Sequence, residues 1–176
     1  RDALGDRFGV PPELRFEDHR ALFARPALAD FALIATPDAE HVLPALQALA
    51  CGYHVLLEKP MATNERDCER LVLESERSGR LLQICHVLRY APLYAAVRQV
   101  IASGEIGDVV AIQHAENVSH WHYAHSYVRG HWRNREASSP MILAKSCHDL
   151  DLLYWFAGAP PERLTSHERP TDCRAE

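Results

Sequence analysis

The sequence predicts an α/β protein: an incomplete, doubly wound parallel sheet followed by the start of an α+β second domain. Three observations carry this. Short apolar runs at 31–35, 54–57 and 81–85 alternate with stretches of helical spacing. The joins between them are short turns, too short for structureless crossovers. After about residue 90 the character changes, and residues 117–139 are rich in His, Trp, Tyr, Ser and Arg. The expected division is 1–88 and 89–176.

Pro11-Pro12 breaks the chain, and a short helix is expected from Phe16 to Phe23. Phe31-Ala32-Leu33-Ile34-Ala35 is a continuous apolar run, the pattern of a strand buried on both faces of a parallel sheet. Thr36-Pro37-Asp38 ends it. Val42, Leu43, Leu46 and Leu49 follow at helical spacing, and Gly52 stops the helix. His54 to Leu57 is the second strand, halted by Glu58-Lys59-Pro60. Asn64 caps a helix running to Gly79, and Leu81 to Cys85 is the third strand. On this pattern Leu33, Ile34, Val55, Leu56, Leu82 and Ile84 are expected to be buried. Pro92 opens a further helix that closes near Gly104. Residues 108–114 read as a longer strand, 117–139 as a polar loop, and Met141 to Phe156 as one apolar helix.

Composition narrows the function. Apolar residues make up 47% and charged residues 24%, so the chain is globular. A net charge of −5 without a basic run argues against nucleic acid as partner. No stretch approaches the roughly 18 apolar residues of a membrane span. The five cysteines are irregularly spaced and form no CxxC, which suggests reduced thiols and a cytoplasmic setting. The chain starts at Arg1 with no methionine before Met61, so a partial chain is expected. Of 19 basic residues only Lys59 and Lys145 are lysines. Arginine cannot replace a lysine that must release a proton or act as a compact charge, which draws attention to both.

Three segments could carry chemistry. Thr36-Pro37 and Glu58-Lys59-Pro60 fall just past the carboxyl ends of consecutive parallel strands, where open α/β sheets bind ligands. Ordinary strand-ending turns would look the same. In Lys145-Ser146-Cys147-His148-Asp149-Leu150-Asp151, His148 could donate one ring N–H to Asp151 and keep the other nitrogen as a base. A buried histidine beside a Lys145–Asp149 ion pair is the alternative. His120, His122 and His125, with His131 nearby, resemble a metal-binding spacing on a strand, but Ala124 stands where dinuclear zinc hydrolases have an aspartate. A metal-dependent hydrolase using these three rings is therefore an alternative function, and a polar pocket lining is the expected one.

Ala35-Thr36-Pro37-Asp38 with His41 is followed in order by Ala50-Cys51-Gly52-Tyr53-His54-Val55-Leu56-Leu57-Glu58-Lys59-Pro60. Arg89-Tyr90-Ala91-Pro92, Gly104-Glu105-Ile106-Gly107 and His148-Asp149-Leu150-Asp151 come after. These five segments resemble the signature of the Gfo/Idh/MocA oxidoreductases, NAD(P)-dependent enzymes of sugars, polyols and related compounds. The resemblance implies a Rossmann-type sheet, an α+β substrate domain, NAD or NADP as cofactor and hydride transfer at a sugar- or polyol-like hydroxyl. It implies Lys59 and His148 as catalytic residues. Thr36, Pro37, His41, Glu58, Lys59 and Pro60 would line the cofactor site. Arg89, Tyr90, Trp132, Arg133 and Lys145 would shape the substrate pocket. A homo-oligomer is expected of the full-length protein. Two departures stand out. None of the eight glycines lies in a GxGxxG turn, and Ala144 occupies a position where many family members are acidic. A noncatalytic, truncated relative is therefore a further alternative.

Overall fold

Three short strands form the sheet, and their alignment sets the rest of the molecule. In the computed structural model, which describes residues 1–134 and 138–167, β1 (Phe31–Ile34), β2 (His54–Leu57) and β3 (Leu82–Ile84) lie in the order β1-β2-β3. Both pairings are parallel, with Ile34 opposite Leu57 and Leu57 opposite Ile84. The carboxyl ends of all three strands therefore lie at one sheet edge. Helices α1 (Asp2–Arg7) and α2 (His19–Phe23) precede β1. Helices α3 (Val42–Ala50) and α4 (Glu65–Ser78) provide the two crossovers.

Local chemistry fixes the helix ends. Asp18 accepts the Arg20 backbone N–H at the start of α2, and Asn64 accepts that of Asp67 at the start of α4. Gly79 closes α4 with φ +65°, a conformation that a Cβ would penalise. The core lies between the sheet and the α3–α4 layer. Ile34, Val55 and Leu57 from the strands meet Ala45, Ala48, Leu49, Tyr53 and Leu71.

Burial follows the pleat on one face only. Leu33 points to the other face and is 69% exposed, and Leu56, Leu82 and Ile84 are half-buried. The expectation that these strands are buried on both faces is thus corrected: among the described residues, the closely packed helices lie against one face of the sheet.

The second half begins with a 3₁₀ turn at Val87–Tyr90 and α5 (Pro92–Ser103), which Pro92 opens and Gly104 closes. Residues 108–114 form no strand. A strand needs a neighbour to take its N–H and C=O groups, and the three described strands pair with one another. Instead Val109, Val110 and Ile112 line a hollow of about 570 Å³ with Leu150, Leu153 and Tyr154. Residues 117–134 are not one loop. They contain α6 (His120–Tyr123), a π turn at Ala124–Val128 and a 3₁₀ turn at His131–Arg133. The single helix expected at 141–156 is two, α7 (Met141–Ala144) and α8 (Cys147–Ala157). No described helix is long and apolar enough to cross a membrane.

Candidate active site

Three chain segments leave the carboxyl edge of the sheet side by side: Ala35–Pro37 after β1, Glu58–Pro60 after β2, and Cys85–His86 after β3. The first two are tied together by His41. Its ring is 1% exposed, with Nδ1 2.7 Å from the Pro60 carbonyl oxygen and Nε2 2.9 Å from that of Thr36. A carbonyl only accepts, so each contact is a hydrogen bond when that nitrogen carries its proton. His41 thus holds the two turns from beneath rather than presenting a ring nitrogen to the crevice. Thr36 closes its own turn by donating its hydroxyl to the Glu40 carbonyl at 3.0 Å. The Lys59–Pro60 peptide is cis.

Among the described residues, hydrogen bonds dock the second half of the chain on the turns after β1 and β2 at two points. Lys59 Nζ donates to the Ala144 carbonyl oxygen at 2.6 Å, at the last residue of α7. That carbonyl would otherwise receive the His148 amide in a continuous helix. The His148 N–H bonds the Lys145 carbonyl at 3.4 Å instead, and this is where the expected helix breaks. At the other point, buried Asp38 accepts from Trp132 Nε1 at 3.1 Å and from the Ser139 hydroxyl. Trp132 is therefore anchored to the turn after β1.

His148 lies in the first turn of α8, near Lys59. Its Nδ1 is buried and has no hydrogen-bond partner among the described residues. Burial pushes its pKa below the ordinary imidazole value, and the positive charge of Lys59 adds to this, followed by His86 and Lys145, with Asp149 opposing. A neutral imidazole with a free ring nitrogen can accept a proton. The expected Asp151 partner is engaged elsewhere: Arg89 grips Asp151 through two hydrogen bonds of 2.8 and 2.7 Å and lies over the Trp155 ring. The expected Lys145–Asp149 pair is also replaced. Lys145 pairs with Glu116 at 2.8 Å, which raises the lysine's pKa, and Asp149 with the His114 ring at 2.8 Å. The helix break rotates Lys145 out of register with α8, so the four-residue spacing no longer brings the two together.

The sequence-derived residues therefore divide into groups. Thr36, Pro37, Glu58, Lys59 and Pro60 share the sheet edge, and Lys59 is joined to the segment carrying His148. Arg89 is committed to Asp151, Tyr90 is 76% exposed, and Arg133 is exposed. The histidines at 120, 122 and 125 lie on α6 and the π turn, not on a strand. Among the described residues no group of three or more His, Cys, Asp or Glu is placed to hold a metal ion. Sequence reasoning missed the roles of His86, Asp38 and Glu116, and the pairing of His114 with Asp149. The position of His86 just past a third parallel strand was a usable signal, the same one that singled out Lys59. Glu116 and the His114–Asp149 pairing left none.

Residues 2–86 match the family described as an oxidoreductase family with an NAD-binding Rossmann fold, and residues 94–173 match the GFO/IDH/MocA C-terminal domain. A 1,5-anhydro-D-fructose reductase of Ensifer adhaerens is 33% identical over 134 residues, which are 75% of this chain and 39% of that protein. The apo scyllo-inositol dehydrogenase of Lactobacillus casei superposes with a TM-score of 0.69 at 26% identity, over 89% of this chain and 43% of that one. An inositol dehydrogenase homologue of Azotobacter vinelandii, complexed with NADH and myo-inositol, superposes with a TM-score of 0.54 at 30% identity, over 59% and 28%. The chain spans about a third to two-fifths of the length of the curated relatives it matches, between 32% and 40% for the first three.

Proposed function

Because this chain belongs to the Gfo/Idh/MocA family of oxidoreductases, we propose that it carries the nicotinamide-facing and proton-transfer part of an NAD(P)-dependent enzyme acting on a hydroxyl of a sugar- or polyol-like compound. The observation that carries this reading is the Lys59–Ala144 hydrogen bond. It brings the turn after β2 to the segment bearing His148, 85 residues apart in sequence.

The turns after β1 and β2 fit the nicotinamide end of a dinucleotide, since both sit at the carboxyl edge of adjacent parallel strands and are held rigidly by His41. Thr36, Pro37, Glu58, Lys59 and Pro60 would line that end. Bound NAD or NADP would supply the hydride acceptor or donor. His148, pushed towards its neutral form by burial and the adjacent cations, takes the hydroxyl proton on Nε2, since Nδ1 is buried. Lys59, its ammonium group fixed by the Ala144 carbonyl, offers its remaining protons to the developing alkoxide. The helix break leaves Lys145 beside Glu116, and Trp132 stands at the turn after β1. Both fit the rim of a polyhydroxylated substrate, with Tyr90 and Arg133 further out. Arg89 supports this reading as a brace for α8. The division at 88/89 is supported by the end of β3 and the turn before α5.

A second reading, a dinucleotide fold without turnover, is favoured by one observation: Ala144, whose carbonyl takes the Lys59 ammonium, puts no carboxylate beside that lysine. Titration of the chain with NADH, followed by nicotinamide absorbance with NAD⁺ or NADP⁺ and a panel of polyols and aldoses, separates the two. Turnover of any of them supports the first reading. Binding without turnover of the whole panel overturns it in favour of the second, and no binding overturns both.

A further inference from the structure

Two imidazoles meet at the proposed proton-transfer site, and the mechanism above uses one. His86 leaves the carboxyl end of β3, and its ring meets that of His148 edge to face, with centroids 6.1 Å apart and planes at 79°. The Nδ1 atoms of both rings are buried, and neither has a hydrogen-bond partner among the described residues. The surroundings of the two rings differ. His86 faces Asp151, whose carboxylate lies 3.9 Å from its Nε2, together with Arg89, Lys59 and His148. Arg89 is already committed to Asp151 by its two hydrogen bonds. His148 faces Lys59, His86 and Lys145, with Asp149 and Glu116 on its acidic side. Those two carboxylates are themselves paired, Asp149 with His114 and Glu116 with Lys145.

We propose that His86 and His148 titrate as one pair that binds a single proton, which His86 takes first beside Asp151, so that His148 stays neutral and able to accept a proton from substrate. Two rings this close, near the fixed charge of Lys59, repel one another when both are charged. Asp151 breaks the symmetry: it favours charge on His86, while the first charged neighbour of His148 is a lysine. The His86 side chain is 26% exposed, so its proton exchanges with solvent. His86 thus acts through His148 as a positioning residue for charge. The functional meaning of the pair rests on the oxidoreductase reading, but its titration does not.

The test is an NMR titration of the 176-residue chain carrying ¹³C-labelled histidine, following the Cε1–H signals of both rings without cofactor or substrate. As pH falls, His86 is expected to protonate ahead of His148. In His86→Asn the midpoint of His148 should rise by about one pH unit, the scale at which two sites count as coupled. In His148→Asn the midpoint of His86 should rise by the same amount, because coupling is reciprocal. Unmoved midpoints, or His148 protonating first, would overturn the proposal. Should either variant lose its native amide spectrum, the wild-type curves decide: two-step titration of both rings supports the pair, and independent single-step curves refute it. Reciprocal shifts in a protein that transfers no hydride would leave the pair standing and remove the oxidoreductase reading. Turnover with unmoved midpoints would do the opposite.

Discussion

The Nζ atom of Lys59 lies 2.6 Å from the carbonyl oxygen of Ala144, and at that carbonyl the helix carrying His148 breaks in two. One hydrogen bond therefore orients the lysine, joins the two halves of the chain and sets where α8 begins. Lys59→Ala should destabilise the chain by about 1.5–3 kcal/mol, the range for a hydrogen bond to a charged group. In the proposed reaction it should lower kcat far more than it weakens cofactor binding, since the interaction it removes is realised mainly in the transition state. Lys59→Arg should not restore turnover, because the planar guanidinium has a different shape and does not release its proton. Urea unfolding and steady-state kinetics check both halves. Near-wild-type turnover of Lys59→Ala would remove the lysine from the mechanism.

His148→Ala should cost on the order of 10²–10⁴ in rate in the proposed reaction, the usual range for a lost proton acceptor. Isothermal titration with NADH should give an unchanged affinity, since His148 lies on α8 and not on the strand turns. A comparable loss in cofactor affinity would reassign His148 to cofactor binding.

His41→Ala removes the ring that lies between the Thr36 and Pro60 carbonyls and takes the N–H donor from at least one of them. Each orphaned buried acceptor costs about 1–3 kcal/mol, so the urea midpoint should fall clearly. His41→Gln keeps an amide donor and should recover part of the loss. Equal stability of the two variants would mean that packing, not hydrogen bonding, is what His41 provides.

Ala144→Asp adds an acidic side chain at the residue whose carbonyl Lys59 holds. Here Ala144 is buried and Lys145 already has Glu116 as partner. The added carboxylate must be desolvated beside Lys59, and the change should lower both thermal stability and turnover. Higher turnover would show that the alanine, not the surrounding pairing, limits the site.

Stability should fall with acid in a window set by His86 and His148. Both have pKa values held below the ordinary 6.5 in the folded chain, chiefly by burial. Between the folded and unfolded values the unfolded chain binds more protons, so stability rises with pH there. The contribution is complete above about pH 6.5 and is lost as pH falls towards the depressed values. Urea midpoints across that range should show the slope, and His86→Asn should flatten it. A flat profile for the wild type would contradict the burial of these rings.

Much of the first half was legible in the sequence because its signals are local. Apolar runs of four residues, a capping Asn64 and a closing Gly79 locate β1 to β3 and α4 within a residue or two. Lys59 was found by the same logic, as a polar residue just past a buried strand. The second half was less legible. The segment 108–114 has the composition of a strand but no neighbour to pair with among the described strands, and pairing is a property of two segments. The periodicity of 141–156 is continuous, yet a lysine 85 residues away takes one of its carbonyls.

The sequence by itself determined the parallel α/β order, the turns at the carboxyl edge, and Lys59 and His148 as the residues to watch. These follow from hydrophobic period and turn chemistry, which act over a few residues. Only the tertiary structure decided the partners: Ala144 for Lys59, Arg89 for Asp151, His114 for Asp149, Glu116 for Lys145, and His86 against His148. Spacing along a helix assigns such pairs only while the helix is regular. Once α7 and α8 separate, side chains four residues apart no longer share a face, and their partners come from whichever distant segment packs against them.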